Sequence, residues 1–306
     1  MRPSVLITGA GGTIGSETVR HLAATGWRVV GFARKGDTVP DAADTVMFGN
    51  AAAEADIARA LTGVDAVVHL AALPHWDAGT PYDVFTTNVV TTFNVLTQAA
   101  ERGIQRAVVA SSIHASGIPG NHRSELRPYY PIDEELPLAH DEWYSLSKYT
   151  DERTAAMVHS RWNLPVIAFR SPLVGTRATL LAAANEWNAR PEEGVRVGWA
   201  YLDVRDAAEA IRLGLETVTN GAQVIQLAAP QTLMARSTDS LLDEYAPHAE
   251  RRSTFPGNLS PVDTTRAQRV LGFSPQFALN PTQYESRAGG DTTADHELRA
   301  EDGAGT

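Results

Sequence analysis

The sequence predicts an α/β protein built on a doubly wound parallel sheet, with a small substrate lobe towards the C-terminus. Three observations carry this expectation. Strand-length apolar runs alternate with helical patterns through the first 170 residues, the arrangement that βαβ units around a parallel sheet require. The first strand runs directly into a glycine-rich turn holding Gly9, Gly12 and Gly15. After Arg170 the alternation loosens, so part of the remaining chain lies outside the sheet.

Residues 4–7 are apolar and read as a buried strand. A helical pattern starts near Gly12 and carries Ile14, Val19 and Leu22 on one face. Gly9, Gly12 and Gly15 suit a tight strand-to-helix turn, close approach of a ligand, and close helix–strand packing. The free N–H groups that open the helix favour a pyrophosphate. With Thr13 and Ile14 between them, these glycines form the expected cradle of a dinucleotide in a Rossmann-type fold.

Residues 27–33 and 45–48 read as the second and third strands, 52–61 as an alanine-rich helix, and 66–70 as the fourth strand. A loop holding Pro74, His75, Trp76, Gly79 and Pro81 leads to a long helix over 82–102. The fifth strand is expected at 106–111, a Gly/Pro-rich loop at 117–138, a helix at 143–162 and the sixth strand at 165–169. Beyond it, 178–189 reads as helix, 195–202 as extended, 204–217 as helix and 223–227 as one more sheet strand. Short helices are expected at 238–245 and 264–271, around Pro256 and Pro261. The dinucleotide domain is thus expected to take 1–170 with 203–227 returning to it, and the lobe 171–202 and 228–284. Residues 285–306 are almost without apolar side chains and are expected to be disordered.

Composition narrows the function classes. No run of eighteen apolar residues is present and the N-terminus lacks the pattern of a signal peptide, so the expectation is a protein with no membrane partner. Zero cysteines exclude disulfides, thiolate metal sites and cysteine nucleophiles, and fit a cytoplasmic location. A net charge of −10 without a basic cluster argues against nucleic acid as a partner. The histidines show no metal-ligand spacing, and no glycine-flanked serine elbow is present; no metal site is expected.

Tyr144 and Lys148 stand four residues apart, on one face of the expected helix. An ammonium beside a phenol favours phenolate, and such a tyrosine can exchange a proton with a substrate oxygen while hydride moves at a nicotinamide. Ser111 and Ser112 close the fifth strand. Strand alternation would put Ser112 and His114 on one side and Ser111 on the other, leaving the Ser112 hydroxyl to hold a substrate oxygen beside Tyr144 and His114 to contact the substrate.

On these residues the chain resembles the short-chain dehydrogenase/reductase superfamily, in its extended, epimerase/dehydratase-like form. The matching stretches are Thr8-Gly9-x-x-Gly12-x-x-Gly15, His69-Leu70-Ala71-Ala72, Thr87-Asn88-Val89, Ser112, Tyr144-x-x-x-Lys148 and Tyr201-Leu202-Asp203-Val204-Arg205-Asp206-Ala207. Asp263 and Leu271-Gly272-Phe273-x-Pro275 are similar to the usual ending. The resemblance covers roughly residues 4 to 280. It implies Tyr144 as general acid/base, Ser112 orienting the substrate oxygen, and Lys148 holding the nicotinamide ribose. It groups Ala71 and Asn88 with the cofactor end, Asn88 as a support for the helix and backbone there. A homodimer through the helices at 82–102 and 143–162 is also implied.

Cofactor choice is read after the second strand. There the chain has Arg34-Lys35 and no carboxylate at the usual point, so a 2′-phosphate, and hence NADP, is expected over NAD; Asp37 and Asp41 are the carboxylates that could answer it. Asn50 stands where the family places an aspartate for adenine. The short stretch between Arg170 and Trp199 implies a small hydroxyl or carbonyl substrate. Ser111 to His114 is similar to an element of uronate dehydrogenases, which makes a sugar acid one candidate, with Arg196 placed to hold its carboxylate. His75, Trp76 and Trp199 are the aromatic candidates for the pocket wall. The expected reaction is hydride transfer between nicotinamide and such a substrate; a cofactor-retaining epimerase or dehydratase is the alternative, and a dinucleotide sensor without catalysis the reading from outside enzymes.

Overall fold

In the computed structural model, which describes residues 2–118 and 126–279, the apolar runs of the N-terminal half become β1 (Ser4–Thr8), β2 (Arg28–Ala33), β3 (Thr45–Phe48), β4 (Ala66–His69) and β5 (Arg106–Ala110). The helices between them are α1 (Thr13–Ala24), α2 (Glu54–Ala60) and α3 (Pro81–Glu101). There follow β6 (Tyr129–Tyr130), α4 (Trp143–Trp162), β7 (Val166–Arg170), β8 (Leu173–Gly175), α5 (Arg177–Ala189), β9 (Tyr201–Asp203), α6 (Val204–Glu216) and β10 (Ala222–Gln226). The chain continues through α7 (Thr238–Tyr245), β11 (Glu250–Arg251) and α8 (Thr265–Leu271).

Seven parallel strands form the central sheet in the order β10-β7-β5-β4-β1-β2-β3. Strand order reverses at β1, which lies between β2 and β4. A crevice therefore opens at the carboxyl ends of β1 and β4, where ligands of such sheets bind. Each face of the sheet is buried under helices. Val19 and Leu22 of α1, Ala210 and Ile211 of α6 and Ala267 and Leu271 of α8 cover one face. Ile57 of α2, Val95, Leu96 and Ala99 of α3 and Ala155 and Val158 of α4 cover the other. Burial on both faces is why these strands are continuous apolar runs. A separate core holds the lobe, with Ile132, Trp199, Met234, Leu241, Leu242 and Phe255.

Two local expectations are corrected. The stretch 195–202 is not extended: Val195–Val197 is a 3-10 turn, followed by Gly198 at φ 64 and Trp199 at φ 51. Burial of the Trp199 indole, fully covered and donating from Nε1 to the Pro191 carbonyl at 2.7 Å, overrides the strand preference of the valines. Only Tyr201–Asp203 is a strand, and it pairs with β8. The fifth strand ends at Ala110, and Ile113–Ser116 is a 3-10 turn that Ser112 caps by accepting from the His114 N–H at 3.2 Å. A turn, rather than strand alternation, therefore sets where His114 points. Residues 119–125 of the Gly/Pro-rich loop and the tail 285–306 lie outside the described residues. No helix among the described residues is long and apolar enough to cross a membrane.

Candidate active site

The glycine turn separates into three roles. Gly9 sits at φ 73, and a Cβ there would meet the Ala71 nitrogen at 2.8 Å. A Cβ on Gly15 would lie 2.0 Å from the Gly9 carbonyl oxygen, so the packing of α1 on the turn requires glycine. At Gly12 the protein makes no such demand: an added Cβ would meet only the Gly9 oxygen, at 3.4 Å. The space before Gly12 is open. The Gly12 N–H donates to the Gly9 carbonyl at 3.0 Å, and α1 then opens without a side-chain cap or an acidic residue in its first turn, so the N–H groups of that turn are left for an anion. These residues fit a pyrophosphate.

The turn is one end of a cavity of about 730 Å³ lined by Gly9, Gly12, Thr13, Ile14, Gly15 and Arg34. Ser112, Tyr144 and Lys148 line the same cavity at the ends of β5 and α4. Glu142 fixes the start of α4: its carboxylate accepts from the N–H groups of Tyr144 and Ser145, each at 2.6 Å. This cap presents Tyr144 in the first turn and Lys148 one turn later, with Nζ 6.0 Å from the phenol ring centre. The Ser112 hydroxyl stands beside the phenol, near enough to favour its ionised form. Burial raises the Tyr144 phenol above its ordinary range, while the Lys148 charge and the Ser112 hydroxyl pull it down. Lys148 Nζ is itself held by the Ala110 carbonyl at 2.9 Å and by Asp151 Oδ2 at 3.3 Å.

Ser111 also lines the cavity, but its hydroxyl is committed to Glu152 Oε1, to which it donates at 2.6 Å; the same carboxylate takes Arg170 in a fork, at 2.8 Å on each oxygen. Asn88 is buried and ties α3 to the loop after β4, through Leu73 N–H at 2.8 Å, Leu73 C=O at 3.1 Å and Ser147 Oγ at 3.0 Å. His69 is likewise internal, bridging Thr8 and Thr92, and burial with the Lys148 charge holds it down to about 3.

Beyond Tyr144 the cavity wall includes His75, His114, Pro172, Trp187 and Val197. His114 meets the Tyr144 ring edge-on at 5.6 Å. Burial, then the charge of Arg127, holds its imidazole down to about 4, so it faces the cavity neutral. Leu70 and Ala72 line the cavity beside Ala71. Trp76 is half exposed and gives its carbonyl to Trp143 Nε1 at 2.8 Å. Trp199 belongs to the lobe core. Arg196 lies beside the lining residue Val197, and its carbonyl accepts two bonds from the buried Arg127, at 2.8 and 3.1 Å. Asn50 is exposed and its side chain caps the Ala52 N–H at 3.0 Å. Sequence reasoning missed Trp187 and Asp151. Asp151 had a signal in its spacing of three from Lys148; Trp187 had none beyond its place on a helix of the lobe.

Arg34 extends from the end of β2, with its side chain 80% exposed, and meets Asp37 Oδ2 at 3.4 Å; the same oxygen accepts the Arg34 N–H at 3.0 Å. A Cβ on Gly11 would meet the Asp37 Cβ at 2.9 Å, so Asp37 stands against the glycine turn. Among the described residues no group of three or more His, Cys, Asp or Glu side chains is placed to hold a metal ion.

A model of the NAD dependent epimerase/dehydratase family matches residues 5–228. The NAD-dependent glucose-6-phosphate dehydrogenase of Haloferax volcanii is 30% identical over 181 residues, 56% of this chain and 68% of that enzyme. Among solved structures, MoeE5 in complex with UDP-glucuronic acid and NAD superposes with a TM-score of 0.66 at 24% identity, covering 90% of this chain and 94% of the other. A mutated uronate dehydrogenase does so with 0.65 at 19%, covering 95% and 88%. At these identities the two structures speak for the fold alone.

Proposed function

The chain belongs to the NAD dependent epimerase/dehydratase family, and from that premise we propose that it is an oxidoreductase passing hydride between a nicotinamide cofactor and a small sugar or sugar acid. One observation carries the proposal: Ser112, Tyr144 and Lys148 converge at one end of a cavity whose other end is the glycine cradle. When bound, the nicotinamide supplies the hydride donor or acceptor. The Ser112 hydroxyl holds the substrate oxygen, and the Tyr144 phenol gives or takes its proton. Lys148 holds the ribose and stabilises phenolate through its charge. Neutral His114, with His75 and Trp187, forms the wall against the substrate. Arg196 is assigned to a substrate carboxylate, Trp76 to the mouth of the same pocket, Asn50 to the adenine and Ala71 to the cofactor's path.

A small substrate follows from the thirty-residue span between Arg170 and Trp199. The glucose-6-phosphate and uronate dehydrogenases among the compared proteins bear names that suit a sugar without a nucleotide. We assign residues 171–202 and 228–284 to the lobe that encloses it. NADP is the proposed cofactor, because Arg34 lines the cavity beside the cradle and suits a 2′-phosphate. A second reading rests on Asp37, whose carboxylate beside Gly11 suits the 2′-hydroxyl of NAD. A cytoplasmic homodimer completes the proposal.

The test is a panel of sugars, uronic acids, aldehydes and ketones, followed by nicotinamide absorbance with each cofactor. Net turnover with a lower KM for NADPH than NADH is expected, and Tyr144→Phe should lose about 10²- to 10⁴-fold in kcat, the range for one general acid/base. Epimerised product without net cofactor consumption would instead establish the cofactor-retaining alternative, and a Tyr144→Phe variant with undiminished kcat would remove the proton-transfer assignment.

A further inference from the structure

Behind the site lies a carboxylate that the hydride-transfer scheme leaves without a task. Asp151 is 1% exposed, and its partner Lys148 5%. It follows Lys148 by three residues and Tyr144 by seven, so all three share one face of α4. Asp151 Oδ2 takes the Lys148 ammonium at 3.3 Å, while buried Oδ1 has no hydrogen bond of ordinary length and only the Thr92 hydroxyl acting on the carboxylate beside it. A buried ion pair contributes little to stability, and apolar replacements are often tolerated or better. A buried oxygen this poorly satisfied makes the pair costlier still and asks for a reason.

We propose that Asp151 is a positioning residue for proton transfer: it anchors Lys148 Nζ beside the Ala110 carbonyl and offsets the ammonium charge that reaches the Tyr144 phenol. The inference rests on the hydride-transfer reading above. Lys148 without a counter-charge would draw the phenol strongly towards phenolate. With Asp151 next to it, part of that field is cancelled, and the tyrosine keeps a proton it can both give and take. Burial has the opposite effect on Asp151 itself, pushing it up to about 6, and the Lys148 charge resists that rise.

The groups around Asp151 are few. Lys148 and Glu152 face it from α4, and Thr92 from α3. His69 of β4 stands behind Thr92, neutral and bonded through Nε2 at 3.1 Å. Glu152 is committed to Arg170 and Ser111, so its charge is already answered. Glu142 acts on Tyr144 from the start of α4 in the same sense as Asp151, more weakly. Of the charges facing the Lys148–Tyr144 pair, Asp151 is the one in contact with Nζ.

The experiment is Asp151→Asn, which keeps an acceptor for Nζ and removes the charge. Alcohol oxidation uses the phenolate, so activity rises with pH through the tyrosine's ionisation. Removing the negative charge should move that midpoint down by about one pH unit. At one unit below the wild-type midpoint, the variant would then run at about five times the wild-type fraction of its own plateau. The phenol is also titrated by ultraviolet difference absorbance against Tyr144→Phe, a readout that needs no substrate. A downward shift in that titration supports the inference even where the substrate panel finds no turnover, which would sink the activity reading alone. An unmoved or raised midpoint, with only a uniform loss of kcat or of Tm, overturns it. Asp151→Ser gives the same charge change in a smaller side chain should the asparagine variant fail to fold, and the same direction is required of it.

Discussion

Gly12 and Gly15 are three residues apart on the same turn, yet the chain needs them for different reasons. A methyl on Gly15 would overlap the Gly9 carbonyl at 2.0 Å, a collision of backbone with backbone that no rotamer relieves. A methyl on Gly12 would rest at 3.4 Å from one oxygen and otherwise project where a pyrophosphate belongs. Gly12→Ala should therefore keep the wild-type Tm within a few degrees and weaken dinucleotide binding about tenfold or more, measured by fluorescence titration. Gly15→Ala should lose stability by about 1–3 kcal/mol in urea denaturation, as overpacking does. Equal behaviour of the two variants would contradict the separation of roles. The sequence pattern cannot make this distinction, because a glycine spared by the fold and a glycine demanded by it are written with the same letter.

At the scale of elements, the two serines after β5 line one cavity but commit their hydroxyls differently. Ser112 faces the cavity, and Ser111 enters a buried cluster with Glu152 of α4 and Arg170 of β7. That cluster pins α4 to the sheet, and with it the turn that carries Tyr144. Glu152→Ala would leave the Arg170 guanidinium buried without its fork, and a loss of about 3–5 kcal/mol is expected from denaturant midpoints. A change below about 1 kcal/mol would mean that α4 is held by its apolar contacts alone. Much of this layout was legible in the residues. Ser112, Tyr144 and Lys148 were readable because their spacing follows the helix period and the strand end, both local properties. The segment 195–202 was misread because Trp199 is placed by Pro191 and by the lobe core, contacts that valine-rich patterning does not encode. Trp187 was missed for the same reason: which face of α5 meets the cavity depends on how the lobe closes over the sheet.

At the scale of the whole molecule, α3 and α4 form the outer layer on one side of the sheet, and their exposed faces remain partly apolar. Tyr82, Val90 and Phe93 of α3 and Leu146 of α4 are all more than 40% exposed, and the α3 residues fall on one helical stripe. A second copy of the chain is the proposed cover for this face. Phe93→Glu is expected to shift the mass seen by light scattering from dimer to monomer, and a monomeric wild type would dismiss the idea. The dinucleotide cradle has a different reach. It is built on β1, an interior strand with β2 and β4 at its sides, so a cofactor held there binds the folded sheet and has no counterpart site in the unfolded chain. Its affinity is thereby converted into resistance to heat: about 2.7 kcal/mol at a hundredfold excess over Kd, or roughly 4–5 °C in Tm for a chain of this length. The melting curve thus becomes a meter for the choice made by Arg34 and Asp37. NADP should raise it further than NAD at equal concentration, and the reverse order would give the ribose to Asp37 before any substrate is known.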